Sequence, residues 1–587
     1  MTRLAFTLIL LALLAGIALA APQPIPPLPP STPAPTDVPG VPDFTKFVPG
    51  PKLDYIPPNY VDLGVAPGST VVSVTIGLKL SNFDNFLAQL SDISDFQSLN
   101  YGKHLSAEAL AVLEPPKQQI DLALTWLKTF SIDATYSRGY LTFNVTVDVM
   151  TKLFQAEYHV YRSAITNQEI IRTLSYNVVS VLADLFEVVL PGIDFDDIDH
   201  HPKTSPAPRL QALRKRQAPP SCNSQVTPAC LQALYGIPKD RARQPQNTLS
   251  VPGFLNEYAN RQDLNFFLSN TRPNLIPRPS FSTKFIDGGK NPQEPNTAGV
   301  EANLDTQYTV GLVNGGHVEF YSSALNSLQG FINMANSWLA MDSPPSVVSI
   351  SYGFDEKQVS PATARNLCNQ FAQLGARGVS VIVASGDGGV GGGMPKDTCP
   401  QFVPTFPASC PYVTAVGATV GMTEAGADLS SGGFSNYFPR PNYQNAAVTG
   451  YLGRLGSMYQ GRYNTNGRAF PDVAAQGVHI AIAHNGQAIS VDGTSASAPI
   501  FASVVALIND RLLAKGRKPL GYLNPFIYQK QGIFNDITTG SNPSCGTKGF
   551  PATQGYDWCV QKTTLRNTEQ WKERLKFFRK LNIGSCF

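Results

Sequence analysis

Apolar positions along this chain follow two different periods, and they divide it into two regions. Residues 70–78, Thr-Val-Val-Ser-Val-Thr-Ile-Gly-Leu, alternate with period two and predict a strand. The segments 84–90, 106–113 and 118–130 instead repeat their apolar residues every three to four positions and predict helices. A second strand-like stretch follows at 139–149. Together they predict an α+β domain of roughly 150 residues. From about residue 225 strand-like runs at 346–351, 379–384 and 412–416 alternate with helical stretches, and 361–374 reads as a helix between the first two. Strand, helix, strand in that order implies a parallel sheet, whose active site belongs at the carboxyl ends of its strands. The segment Ser385-Gly386-Asp387-Gly388-Gly389 lies at such an end.

The flanks carry a different text. Arg3 precedes an apolar run over 4–20 that closes on Ala18-Leu19-Ala20, the pattern of a secretory signal with its cleavage site. Residues 21–52 are crowded with proline and read as an extended linker. No later segment approaches the roughly twenty apolar residues that span a bilayer, so a secreted, extracellular protein without a membrane span is expected. The first domain is placed at 53–200. Between 201 and 216 the text is proline-rich and ends in Arg214-Lys215-Arg216, an exposed basic cluster suited to proteolytic processing. The second domain then runs over 217–587.

At 587 residues the chain suits two or more domains, and its net charge of +3 with no basic run interleaved with aromatics speaks against a nucleic-acid partner. Eight cysteines in a secreted chain permit disulfides. Cys222/Cys230 and Cys399/Cys410 are the pairs closest in sequence and the easiest bridges to propose, although spacing does not fix connectivity. Asn144-Val145-Thr146 is a glycosylation sequon.

Two stretches carry candidate chemistry. Gly493-Thr494-Ser495-Ala496-Ser497-Ala498-Pro499 sets a serine in a Gly-Thr turn before small residues, either as a nucleophile at a helix start or as a capping serine. It is not the G-x-S-x-G elbow of the α/β-hydrolases, because Ser497 stands where the second glycine belongs. Glu301 and Asp305, four apart on a predicted helix, share one face and can meet; there they would titrate as a unit. On an exposed helix the same pair would mean nothing. Of the seven histidines only His317, His479 and His484 lie beyond residue 216, and none stands in a suggestive motif. The carboxylate pair is the better base for Ser495.

Glu301-Ala-Asn-Leu-Asp305, Ser351-Tyr-Gly, Ser385-Gly-Asp387-Gly-Gly, Phe406-Pro-Ala-Ser-Cys-Pro-Tyr-Val, Phe470-Pro-Asp-Val and Gly493-Thr-Ser495-Ala-Ser-Ala-Pro resemble, in order, the motifs of the sedolisins, the serine-carboxyl peptidases that include tripeptidyl peptidases. Tyr101-Gly-Lys-His-Leu-Ser106 resembles the activation domain of that family. The resemblance covers about residues 50–557. It implies an α/β, subtilisin-like catalytic domain with a mostly parallel sheet behind an α+β, ferredoxin-like activation domain. It implies Ser495 as nucleophile, Glu301 as general base, Asp305 as its orienter and Asp387 as the oxyanion-hole aspartate. The expected enzyme is an acid-active serine peptidase, a tripeptidyl peptidase or else an acid endopeptidase, with peptide or protein substrates and its own propeptide as inhibitor; the alternative is a catalytically impaired relative acting as a secreted binding protein.

The same resemblance implies a calcium site at Asp536, Ile537, Thr553, Gly555 and Asp557, two carboxylates and three backbone carbonyls, a hard-oxygen set that suits calcium. Asp492 departs from the family, where serine or glycine is usual before Gly493; it either adds a carboxyl to the site or points outward. After Asp557 the text leaves the family pattern and ends in a basic stretch at 571–580.

Overall fold

The computed structural model describes residues 42–196, 198, 202–207, 210, 220–294 and 296–555. The apolar run at 4–20, the basic cluster at 214–216, Asp557, Cys559, Cys586 and the basic tail lie outside the described residues.

The first domain is built on a four-stranded antiparallel sheet. Its strands are β1 (Val71–Leu78), β2 (Thr135–Ser137), β3 (Tyr140–Thr146) and β4 (Phe186–Leu190), in the order β2-β3-β1-β4. Helices α1 (Phe83–Ser94) and α2 (Lys117–Lys128) follow β1. Val74 and Ile76 of β1, Leu141, Phe143 and Val145 of β3, and Trp126 of α2 close one core. The strand expected over 139–149 stops at Thr146. There the apolar spacing switches from two to three and four, and Val147, Met150, Leu153 and Phe154 become the buried stripe of α3 (Val147–Phe154). Residues 47–52, read as linker, pair antiparallel with Ser175–Val179.

The other face of this sheet packs on the second domain. Tyr140 Oη donates to Asn366 Oδ1 at 2.6 Å, and Gln329 Nε2 donates to Ser73 O at 3.0 Å. Asp194 accepts from Ser360 N at 2.5 Å and Thr363 Oγ1 at 2.7 Å. Asp196 accepts from Leu328 N and pairs with Arg172 at 2.5 Å. Further along, β5 (Lys203–Pro206) leaves the first domain and joins a sheet of the second.

In the second domain the chain lays down β6 (Thr248–Gly253), β7 (Ser282–Ile286), α4 (Val300–Leu312), β8 (His317–Ser323), α5 (Leu328–Leu339), β9 (Val347–Ile350), α6 (Pro361–Ala376) and β10 (Ser380–Ala384). Next come β11 (Thr414–Val420), β12 (Ala425–Gly426), β13 (Val473–Gln476), β14 (Ile480–His484), β15 (Gln487–Asp492) and α7 (Thr494–Leu513). Eight of the strands form one sheet in the order β7-β8-β6-β9-β10-β11-β12, with β13 also on β11. Every pairing is parallel except that of the short β12. Helices α5 and α6, capped by the aspartates of the first domain, are the layer between the two domains. The buried sides of α4 and α7 share the opposite core.

Among the described residues, three disulfides join Cys222–Cys230, Cys368–Cys410 and Cys399–Cys545. The first is the expected bridge, and Cys399/Cys410 is not formed. Between those two cysteines the chain extends as the strand Thr405–Phe406, paired with Phe354–Asp355. Its extension carries Cys410 to α6 and leaves Cys399 for the 545 loop.

Candidate active site

Helix α7 starts abruptly. Gly493 is extended, at φ 172°, and having no side chain it offers the helix no cap of its own. Ser495 sits in its first turn, 1% exposed. Pro499 has no N–H to offer the carbonyl four residues back, so the Ser495 carbonyl is left without its helical partner. Ser351 Oγ, at the carboxyl end of β9, donates to that carbonyl at 3.2 Å. In return Ser495 Oγ donates to Ser351 O at 3.2 Å. The two serines thus lie within reciprocal hydrogen-bond reach, Pro499 leaves the acceptor, and the single Ser351 proton faces both that carbonyl and Asp305.

Helix α4 brings the acidic pair to the same place. Glu301 is 0% and Asp305 1% exposed. Asp305 Oδ1 accepts from Ser351 Oγ at 2.8 Å, so Ser351 bridges Asp305 and Ser495. Both Glu301 oxygens are buried without a well-formed hydrogen bond. Ser495 nonetheless bears on that carboxyl, drawing its pKa down against the larger influences of burial, Asp305 and Glu257, which push it well above the ordinary carboxylate range. Burial and Glu257 push Asp305 up in the same way, against the Ser351 hydrogen bond. Two carboxyls this close and dry do not both ionise.

Asp387 follows β10 as expected. Its Oδ1 accepts from Thr494 N at 2.7 Å and Thr494 Oγ1 at 2.8 Å, one residue from Ser495. Thr494 Oγ1 in turn accepts from Gly386 N at 3.0 Å. Asp387 Oδ2 lies against Gly493, where a Cβ would stand 2.7 Å away. All four expected residues therefore converge. Asp492 does not join them: its Oδ1 accepts from His479 N at 2.6 Å. His479 Nδ1 faces Asn223 O, and His484 lies beside Asn485.

Glu257 carries no motif and was not legible in the sequence. Its Oε2 accepts from Glu301 N at 2.6 Å and Ala302 N at 3.1 Å, capping α4 with a charge. Gly299 must be glycine for this to happen, since a Cβ there would meet Glu257 Cβ at 2.4 Å. Ser351 was legible as a motif but not as a bridge. The first domain also reaches the site. β5 pairs antiparallel with β15, Lys203 opposite Asp492, and Pro202 Cβ would lie 3.3 Å from a Cβ on Gly493.

Two family models match the chain: pro-kumamolisin activation domain over 58–195 and subtilase family over 297–516. The chain is 36% identical over 533 residues to "Tripeptidyl-peptidase SED2" of Arthroderma otae, covering 84% of this chain and 88% of that protein. This chain belongs to the sedolisins. It is also 36% identical over 548 residues to "Probable tripeptidyl-peptidase SED3" of Arthroderma benhamiae, covering 88% and 91%. Among solved structures, Pseudomonas sedolisin complexed with pseudo-iodotyrostatin matches with a TM-score of 0.47 at 21% identity, over 61% of this chain and 99% of that one. This sedolisin is a serine-type peptidase with a pro domain.

The residues expected to hold calcium are partly described. Asp536 Oδ2 accepts from Gly555 N at 2.9 Å, while its Oδ1 is buried with no hydrogen-bond partner among the described residues. Ile537 is buried, Thr553 Oγ1 accepts from Arg454 Nε at 3.1 Å, and Gly555 turns the chain at φ +92°. An orphaned carboxylate oxygen beside a tight loop fits a hard cation.

Proposed function

We propose that this sedolisin is a secreted, acid-working tripeptidyl peptidase made as a zymogen. The observation that carries the catalytic assignment is the convergence of Ser495, Glu301, Asp305 and Asp387 in one buried cluster, with Ser351 between Asp305 and Ser495 and Thr494 between Asp387 and Ser495. Ser495 Oγ attacks the scissile carbonyl and Glu301 takes its proton; Asp305 orients Glu301 and shares the pair's single negative charge. Asp387, protonated, donates to the oxyanion. Glu301 then returns its proton to the leaving amine, and water hydrolyses the acyl-enzyme by the same route. A protonated Asp387 limits activity to low pH, because once ionised it repels the developing charge.

In the zymogen the pro segment covers the approach to Ser495, which the pairing of β5 with β15 supports. Burial, with Asp305 and Glu257 beside it, raises the pKa of Glu301, and burial raises that of Asp305, which disfavours an ionised base. Residues 4–20 support secretion, and the names of the relatives support tripeptidyl action. Calcium, held by Asp536, Ile537, Thr553, Gly555 and Asp557, would brace the loop after α7 and take no part in proton transfer.

A peptide digest at about pH 4 with free and blocked N-termini tests the reading. Free N-termini should yield tripeptides, blocked ones none, and Ser495→Ala should lose at least about a thousandfold in rate. Equal cleavage of blocked peptides makes it an endopeptidase. Equal product from Ser495→Ala discards the nucleophile, and a rate maximum at or above about pH 7 discards the carboxyl mechanism.

A further inference from the structure

Far from the cleft, the loop between α1 and the segment 107–110 of the pro domain inserts one histidine into the catalytic domain. His104 Nε2 lies 2.8 Å from Pro519 O, and the next residue, Leu105, donates its N–H to Ala376 O at 2.8 Å. The ring rests on two glycines, Gly378 and Gly521, whose φ angles are +85° and +67°. A Cβ on Gly378 would meet the ring at 2.6 Å and one on Gly521 at 2.7 Å, so the catalytic domain keeps a cradle of two bare backbones where the ring sits. His104 Nδ1 is buried there and has no hydrogen-bond partner among the described residues.

This arrangement accepts only a neutral imidazole. With Nε2–H donated to Pro519 O, Nδ1 carries a lone pair; a second proton would place a buried N–H with no acceptor. The charged groups around the ring offer no relief. On the 516–521 segment Lys518 bears on it with a like charge. On the 374–380 segment Arg377 turns away to the carbonyls of Leu339, Met341 and Asp342. On the ring's own loop Lys103 donates to Asn100 Oδ1 at 2.9 Å.

We propose that His104 is a proton-operated latch of the pro domain, seated in the Gly378–Gly521 cradle when neutral and expelled when protonated. The inference rests on the zymogen reading above and adds to it the group that senses acid. Burial, and then Lys518, lower the pKa of the seated ring, against the hydrogen bond to Pro519 O. A free imidazole titrates near about 6.5, so the docked state is fully favoured above that value and loses this contribution as pH falls below it. The pro-domain carboxyls at the same interface act in the opposite sense. Burial raises Asp194 and Glu187, and groups raised by docking favour the docked state in acid. The release signal must come from a group whose pKa docking lowers, and His104 is such a group.

The full chain carrying Ser495→Ala, which does not process itself, tests this by hydrogen exchange of segments 101–106, 374–380 and 516–523 between about pH 7.5 and 4.5. In that background protection of all three segments should fall together below about pH 6.5. His104→Gln keeps a donor for Pro519 O and takes no proton, so its opening should move down by about one pH unit or more. His104→Lys, charged throughout, should be open at neutral pH, as should Gly521→Ala, which fills the cradle. An opening midpoint in His104→Gln equal to that of the background overturns the latch. Should the glutamine fail to seat, Lys518→Gln carries the test: losing the neighbouring cation eases protonation of the ring in place, so the opening must move to lower pH, and an unmoved midpoint overturns the proposal. Every readout is made on a chain without its nucleophile. Failure of the latch is therefore distinguishable from failure of the peptidase reading, which the digest reports.

Discussion

Ser351→Ala tests the buried cluster most directly, because Ser351 touches both halves of it. Its hydroxyl has one proton to give, and the structure offers two acceptors, Asp305 Oδ1 at 2.8 Å and Ser495 O at 3.2 Å. The shorter contact is to a carboxyl whose second oxygen is buried without a partner, so the alanine variant strips Asp305 of the side-chain donor that lowers its pKa. A hydrogen bond to a charged group is worth about 1.5–3 kcal/mol. Taking about 2 kcal/mol as lost orientation, kcat/KM should fall about 30-fold, with most of the loss in kcat because Ser351 lies behind the reacting groups. The sign of the pH effect is also fixed. Ser351 pulls Asp305 down, so its removal pushes the pair further up, and the acid limb of kcat/KM, which requires one ionised carboxyl, must move to higher pH. The assay is kcat/KM against pH on the processed enzyme with a fluorogenic peptide. A general loss of folded protein would scale the whole profile without moving its limb. An acid limb that stays in place, with kcat/KM within about twofold of wild type, would refute the bridging role of Ser351.

Glu257→Gln keeps an acceptor for Glu301 N and Ala302 N but removes a charge that raises both carboxyls of the pair, so the acid limb of the processed enzyme should move to lower pH; a shift upward or none shows that Glu257 acts only as a cap. Replacing both cysteines of Cys399–Cys545, 146 apart, should cost about 5 kcal/mol by loop entropy, against about 2.5 kcal/mol for Cys222–Cys230, 8 apart, and the reverse order of denaturant midpoints contradicts that account. Chelation should lower the melting temperature of the wild type, and Asp536→Asn should remove most of that response; an unchanged melting curve on chelation removes calcium from the proposal.

Much of the site was legible because its residues stand in short local motifs at element ends. Ser351 and Asp387 each follow a parallel strand, where the chain must turn away and backbone groups face the crevice. Helix α4 was harder to read. Its Glu, Asn, Asp, Thr, Gln and Thr suggest an exposed helix, yet residues 301–312 are all buried, which is why the acidic pair taken alone was ambiguous. Glu257 was invisible, since its contact with Glu301 spans 44 residues and depends on a close approach at Gly299. Cys222–Cys230 was read correctly, and Cys399/Cys410 failed for the opposite reason. Nearness in sequence was taken as nearness in space, and an intervening strand separated Cys399 from Cys410.

The polar character of α4 also ties the base to distant parts of the chain. Asn303 holds Asn260 N, Asp263 and Ala483 O, Gln307 holds Ala483 from both sides, and Glu257 and Ser351 complete the set. These partners come from segments spread between residues 257 and 483. Leu304, Tyr308, Val310 and Leu312 join the apolar core, but the polar side chains gain nothing by being buried against part of that set, because each missing partner leaves a desolvated group behind. The base is therefore set in place only when all of these partners are present, and losing any one of them from a distant segment disturbs the site.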